Sequence, residues 1–105
     1  MIAMNFTYKP LPNCVTIKTS SIDGLGLFAV EDIPNFFHIG CTHHIIQKGI
    51  MNSEQAEIIR TPLGGFVNHS EEPNCKLIGG SKLYLVPLRN IEQGEELTVY
   101  YKIDQ

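Results

Sequence analysis

Asn68, His69 and Ser70 stand in a row behind the apolar pair Phe66 and Val67, and Pro73 and Asn74 follow closely. An amide, an imidazole and a hydroxyl at successive positions offer several hydrogen-bond donors and acceptors at once. They suit a polar ligand or a tight backbone crossing; a well-capped surface loop is the plainer alternative. Upstream, Gly24-Leu25-Gly26 sets two residues without a Cβ around one side chain. That spacing lets backbone come close to a ligand, or simply turns the chain into a strand. Downstream, Gly94-Glu95-Glu96-Leu97-Thr98-Val99 leads into Tyr100 and Tyr101. Alternation along a strand would set these tyrosines on opposite faces, Tyr100 serving as packing or rim. Glu95 and Glu96 are acid/base residue types, but next to Gly94 they are expected to cap the turn or pair locally. Cys41, His43 and His44, with His38 nearby, are metal-ligating types. His43 and His44 on one strand point to opposite faces and make poor co-ligands, so no metal is expected there.

The elements that must hold these residues read as short strands. Val15 and Ile17 alternate with Thr16 and Lys18, and a second strand runs over Gly26–Val30 after a turn at Ser20–Gly24. Phe36–Gly40 and His43–Gln47 are apolar and β-branched enough for strands, with Lys48-Gly49 as a break. Asn52 through Arg60 is expected to be the one helix. Asn52 caps it, Gln55 completes the box, and Ala56, Ile58 and Ile59 form its apolar face. Thr61-Pro62-Leu63-Gly64 should stop it. Phe66 and Val67 then form a short buried strand. Lys76–Ile78 and Lys82–Val86 flank Gly79-Gly80-Ser81 as a hairpin. Ile91–Glu95 is a turn and Leu97–Tyr101 the last strand. Met1–Pro12 carries two prolines and reads as an extended arm or edge strand. The pattern is that of a mostly β protein of small sheets with one short helix.

The chain has 105 residues, the length of a single small domain spanning 1–105. A domain of this size buries about 60–68% of its unfolded surface, so its core is thin. An apolar content of 43% marks a folded rather than a disordered chain. A formal charge of −3 disfavours nucleic acid as a direct partner, since phosphate contacts need clustered Lys and Arg, and is compatible with a basic protein tail. No apolar run approaches the ~20 residues of a membrane span, and no charged-then-apolar leader is present, so no membrane association is expected. Cys14, Cys41 and Cys75 are odd in number and widely spaced, as for reduced thiols in an intracellular protein.

Three stretches in order, GLGLFA at Gly24–Ala29, FVNHSEEPN at Phe66–Asn74 and GEELTVYY at Gly94–Tyr101, together resemble the SET domain of protein lysine methyltransferases. The resemblance covers about residues 13 to 101. GxG is unspecific; NHSxxPN followed by GEELTxxY is specific. The compactness is similar to that of the minimal SET proteins carried by viruses. The resemblance implies a β-clip-like fold of small sheets, with a knot-like crossing of the C-terminal strand past the NHSxxPN segment. It implies S-adenosylmethionine (SAM) as cofactor and a lysine side chain of a protein, such as a basic tail, as substrate. Gly24, Leu25, Gly26, Asn68 and His69 match the family positions that hold SAM, and Tyr101 matches the tyrosine beside the transferring methyl. Glu71 stands where many members carry a zinc-binding cysteine, and no cysteine follows Cys75. The zinc cluster and the channel wall it supports are therefore not expected, and a homodimer is one arrangement that would supply a wall. A non-catalytic SET-like module that binds a protein partner is the competing reading.

Methyl transfer to an amine sets clear demands. A neutral amine must approach the methyl carbon in line with the departing sulfur. Free lysine has a pKa of about 10.4, so the site must favour the uncharged form. Oxygen atoms around the methyl group stabilise its partial charge.

Overall fold

Two antiparallel pairings and one parallel pairing build the first sheet of this protein, whose computed structural model describes residues 10–47 and 56–101. Strand β1 (Val15–Thr19) runs antiparallel to β2 (Leu25–Ala29), with Val15 opposite Ala29 and Thr19 opposite Leu25. Gly24, at φ +47°, occupies the left-handed region in the turn that joins them, and its carbonyl accepts from Ser20 N–H. On its other edge β2 pairs with the C-terminal strand β8 (Glu96–Val99), Leu27 facing Leu97. β8 in turn pairs in parallel with the two-residue strand β5 (Asn68–His69), giving the order β1-β2-β8-β5. This parallel contact between segments about thirty positions apart is where the C-terminal strand passes the NHSxxPN segment.

The second sheet is antiparallel throughout. Strand β3 (Gly40–Gln47) lies between β4 (Ala56–Arg60) and β7 (Lys82–Pro87), and β6 (Cys75–Gly79) closes the order β4-β3-β7-β6. The β6–β7 hairpin turns at Gly80-Ser81, as its sequence predicts. Leu27, Leu97 and Val99 of the first sheet, Cys75 and Leu85 of the second, and Ile33, Leu63, Val67 and Ile91 between them form one buried cluster. Each such aliphatic side chain contributes about 1.5–3 kcal/mol on burial. Among the described residues every buried side-chain nitrogen and oxygen has a hydrogen-bond partner. No helix among them is long and apolar enough to cross a membrane.

The expected helix over Asn52–Arg60 is corrected. Ala56–Arg60 is strand β4, paired with β3 from His43↔Arg60 to Gln47↔Ala56, while Asn52 and Gln55 lie outside the described residues. Ile58 and Ile59 are both exposed, so they form no buried apolar face. Two adjacent β-branched residues favour extended backbone, and the neighbouring strand supplies the hydrogen bonds. The described helix is α1 (Pro62–Phe66), within the segment whose sequence signals a helix stop. Proline at the first helical turn starts a helix as readily as it ends one. Phe66 closes α1 and Val67 is its extended C-cap, so the short strand begins at Asn68 instead. Phe36–Gly40 is also not a strand apart from Gly40. Pro34 turns the chain, Phe37 N–H donates to the Pro34 carbonyl, and Phe36 sits exposed at φ +67°. Of the N-terminal arm, only 10–12 is described; it is not a strand, and Lys48-Gly49 lies outside the described residues.

Candidate active site

Thr61 starts the path to the site. Its hydroxyl accepts from Gly64 N–H at 3.3 Å as an N-cap and donates to the Cys41 carbonyl at 2.7 Å. That double bond ties α1 to β3 and fixes where the chain emerges at Val67. β5 then runs beside β8 with Asn68 opposite Thr98 and His69 opposite Val99, and Ser70 N–H donates to the Val99 carbonyl. Asn74 locks the return. Its amide nitrogen donates to the Glu96 carbonyl at 2.8 Å, its amide oxygen accepts from Thr98 N–H at 2.9 Å, and its own N–H reaches Thr98 Oγ1. One buried side chain thereby does the work of a further strand along β8.

Asn68 turns its amide toward the glycine turn. Nδ2 donates to Glu96 Oε2 at 2.8 Å and lies 3.2 Å from Ser20 Oγ, the Asp23 carbonyl and the Leu25 carbonyl. Two amide hydrogens shared among four acceptors clamp residues 20–25 against β5. The Ser20 hydroxyl donates to the Glu96 carboxylate at 2.8 Å across 76 positions. A Cβ at Gly26 would press on that carboxylate and on the Ser20 Cβ, so the carboxylate would have to shift. Glu96 is thus a site residue that the sequence reading missed, having assigned it to local pairing. The available signal was its place at the start of β8, two residues from Thr98 on the polar side of the strand. Glu95 does act locally: it pairs with Arg89 at 2.7 Å and accepts from Glu92 N–H. The hydrogen bond from Arg89 holds the Glu95 carboxyl below its usual range, and Glu95 raises the Arg89 guanidinium in return.

His69 is gripped from both ring nitrogens. Tyr101 N–H, which can only donate, reaches Nδ1 at 2.9 Å. Nδ1 is therefore unprotonated, and Nε2–H faces Glu71 Oε2 at 3.3 Å. The ring lies between two tyrosines, 5.1 Å from Tyr100 and 6.3 Å from Tyr101 by centroid. β8 ends at Val99, so strand alternation does not separate Tyr100 and Tyr101; both reach the same imidazole. The half-buried Tyr101 hydroxyl donates to the Val67 carbonyl at 3.2 Å. Burial pushes the phenol up, against a smaller opposing pull from Arg60, so it stays protonated at neutral pH.

The tertiary structure therefore brings Gly24, Leu25, Gly26, Asn68, His69 and Tyr101 into one hydrogen-bonded neighbourhood around the β5–β8 pair. A SET domain model matches residues 42–102 of the chain. The chain belongs to the SET domain family. Three fungal relatives carry the name H3 lysine-4 specific histone-lysine N-methyltransferase. That of Chaetomium globosum is 30% identical over 119 aligned positions, 87% of this chain, and those of Emericella nidulans and Aspergillus oryzae are each 40% identical over 60, half of it. This SET chain spans only 11% of the first relative's length and 5% of the other two. A crystal structure described as that of a candidate histone methyltransferase from Plasmodium falciparum superposes with a TM-score of 0.68 at 21% identity. It covers 86% of this chain and 94% of the other, and establishes the fold.

Within this SET domain the remaining chemistry-bearing residues take other places. His43 is buried, its Nδ1 2.8 Å from Thr42 Oγ1, and burial lowers its pKa, with Arg60 adding to the effect. No group of three or more His, Cys, Asp and Glu side chains gathers among the described residues. Two surface clefts, of about 410 and 400 Å³, are lined by other residues: one by 10–13, 40–41 and 61–63, the other by 32–34 and 90–92. Among the motif residues Gly24, Leu25 and Tyr100 are exposed, while Gly26 is buried. Gly24 looks onto open space, Leu25 is half exposed, and the exposed Tyr100 ring lies beside His69.

Proposed function

We propose that this SET domain is a SAM-dependent protein lysine methyltransferase whose cofactor lies against Gly24-Leu25-Gly26 and Asn68-His69. One observation carries the reading: Asn68 clamps the glycine turn while His69 holds the backbone of Tyr101, so both halves of the site are fixed by adjacent residues. The site fits the group chemically. Gly24 leaves room for close approach, the aromatic rings at 69, 100 and 101 suit a flat heterocycle, and tyrosine faces tolerate a cation. When bound, SAM supplies a methyl group on a positively charged sulfur.

The chain's own part is positional. Tyr101 spends its single hydroxyl proton on the Val67 carbonyl, so its oxygen lone pairs are left to accept. An acceptor of that kind suits an amine N–H or a polarised methyl C–H. The phenol, held protonated, is not the base that takes the amine's proton. Because relatives are named for histone H3 lysine 4, the first substrate to test is a histone H3 tail. Calorimetry with SAM and with its demethylated product, followed by methyl transfer to H3 peptides, tests the reading: binding of both and turnover at lysine support it. SAM binding without turnover on any lysine substrate would move the assignment to a protein-binding module. One observation favours that second reading, namely that Asn68 Nδ2 is already committed to four protein acceptors.

A further inference from the structure

Of the three thiols, Cys14 and Cys75 are buried, and burial raises both, Cys75 to about 12. Cys41 differs. It is partly exposed, and it helps line the 410 Å³ cleft with Pro10, Leu11, Pro12, Pro62 and Leu63. Its Sγ lies 3.7 Å from His44 Nε2 and 3.5 Å from the His43 carbonyl. Residues three apart on a regular strand face opposite sides. Here the register passes from Cys41↔Tyr84 to His43↔Leu83, so Thr42 is an extra, bulged residue that turns His44 back to the side of Cys41. Bulges of this kind re-aim side chains next to reactive sites. The volume falls in the range of small-molecule clefts, and the lining is mostly apolar with Asn13 and Thr61 as polar members.

We propose that Cys41 is a nucleophilic thiol, with His44 as its proton acceptor, at a cleft that takes a low-molecular-mass disulfide. The thiol proton passes to His44 Nε2. The thiolate attacks one sulfur of the disulfide, so that a Cys41–sulfur bond forms as the original sulfur–sulfur bond breaks. The departing thiolate then takes the proton from His44. Cys41 is oxidised and the departing half is reduced, with no other reactant. The product is a mixed disulfide seated against Pro62 and Leu63, at the start of α1.

The test is reaction of the full chain with oxidised glutathione, mapped by peptide mass spectrometry. Cys41 should be modified first, at pH 7 about tenfold faster than a free cysteine derivative, since an unassisted thiol of pKa about 8.5 is only about 3% thiolate there. Cys41→Ser should abolish early labelling. His44→Gln should slow it about tenfold at pH 7, and the gap should close near pH 10, where free thiols react as thiolates without an acceptor. First labelling at Cys14 or Cys75, or a Cys41 rate no higher than the free thiol's, would overturn the proposal. An unchanged rate in His44→Gln would do the same. Should that variant unfold, Cys14 and Cys75 would label together with Cys41, and the comparison of the parent with the free thiol decides.

Discussion

Tyr101 and Glu96 play opposite parts, Glu96 opening β8 and Tyr101 lying just past its end. The Tyr101 hydroxyl makes one modest hydrogen bond, to Val67. Tyr101→Phe should therefore cost at most about 1–1.5 kcal/mol of stability and leave SAM affinity unchanged. Turnover should fall about 10²-fold, as for loss of one group placed at the transition state. Full activity in that variant, measured on an H3 peptide, would refute the assigned role. Glu96 is the acceptor at the centre of a ring of donors, Ser20 Oγ and Asn68 Nδ2. Glu96→Gln keeps the shape but puts an NH₂ among those donors. It should destabilise by about 1–3 kcal/mol in urea unfolding and loosen the residue 20–25 turn. An unchanged unfolding midpoint would show that the carboxylate is not needed there.

At the scale of elements, α1 offers a test in which two rules oppose each other. Glycine inside a helix ordinarily costs about 1 kcal/mol relative to alanine, so Gly64→Ala would be expected to stabilise. Yet a Cβ at Gly64 would collide with the backbone carbonyl of Thr42, which β3 and the Thr61 bonds hold in place. The collision should prevail. Gly64→Ala is expected to destabilise by about 1–3 kcal/mol, and Gly65→Ala, where a Cβ meets nothing within 4 Å, to be neutral or stabilising. Thermal unfolding of the two variants side by side decides, and equal shifts would mean that α1 does not press on β3.

For the molecule as a whole, the ionisable groups inside the fold set the pH limits. The Cys75 thiol is pushed up to about 12, chiefly by burial. The unfolded thiol, at about 8.5, releases its proton earlier, so the folded state binds more protons above that value. Its stabilising contribution is therefore complete below about pH 8.5 and is lost as pH rises toward about 12. His43 works from the other end. Its folded pKa lies below the ordinary value of about 6.5, so the unfolded state takes up the proton first and stability falls as pH drops below about 6.5. Urea midpoints from pH 5 to 11 should form a plateau with losses at both ends. Cys75→Ala should flatten the alkaline slope; an identical slope in that variant would remove Cys75 as its source.

Much of this was legible in the amino-acid order because it rests on neighbours along the chain. The β6–β7 hairpin follows from Gly-Gly-Ser between two β-rich runs, β1 follows from the alternation of Val15 and Ile17 with Thr16 and Lys18, and β2 follows the glycine turn after it. The three motifs likewise named the family. What tertiary structure alone decided depends on partners far away in sequence. Ala56–Arg60 reads as helix by its local cap signals and becomes a strand because β3 lies ready to pair with it. Glu96 looks like a turn residue until Ser20 and Asn68 are brought to its carboxylate. The proton of His69 is assigned by a backbone N–H thirty-two positions away. Cys41 and His44 meet only because one extra residue at Thr42 interrupts the ladder with β7. Local preference is worth tenths of a kcal/mol per residue, whereas strand pairing and the satisfaction of buried polar groups are worth one or more each; where they disagree, the distant partner decides.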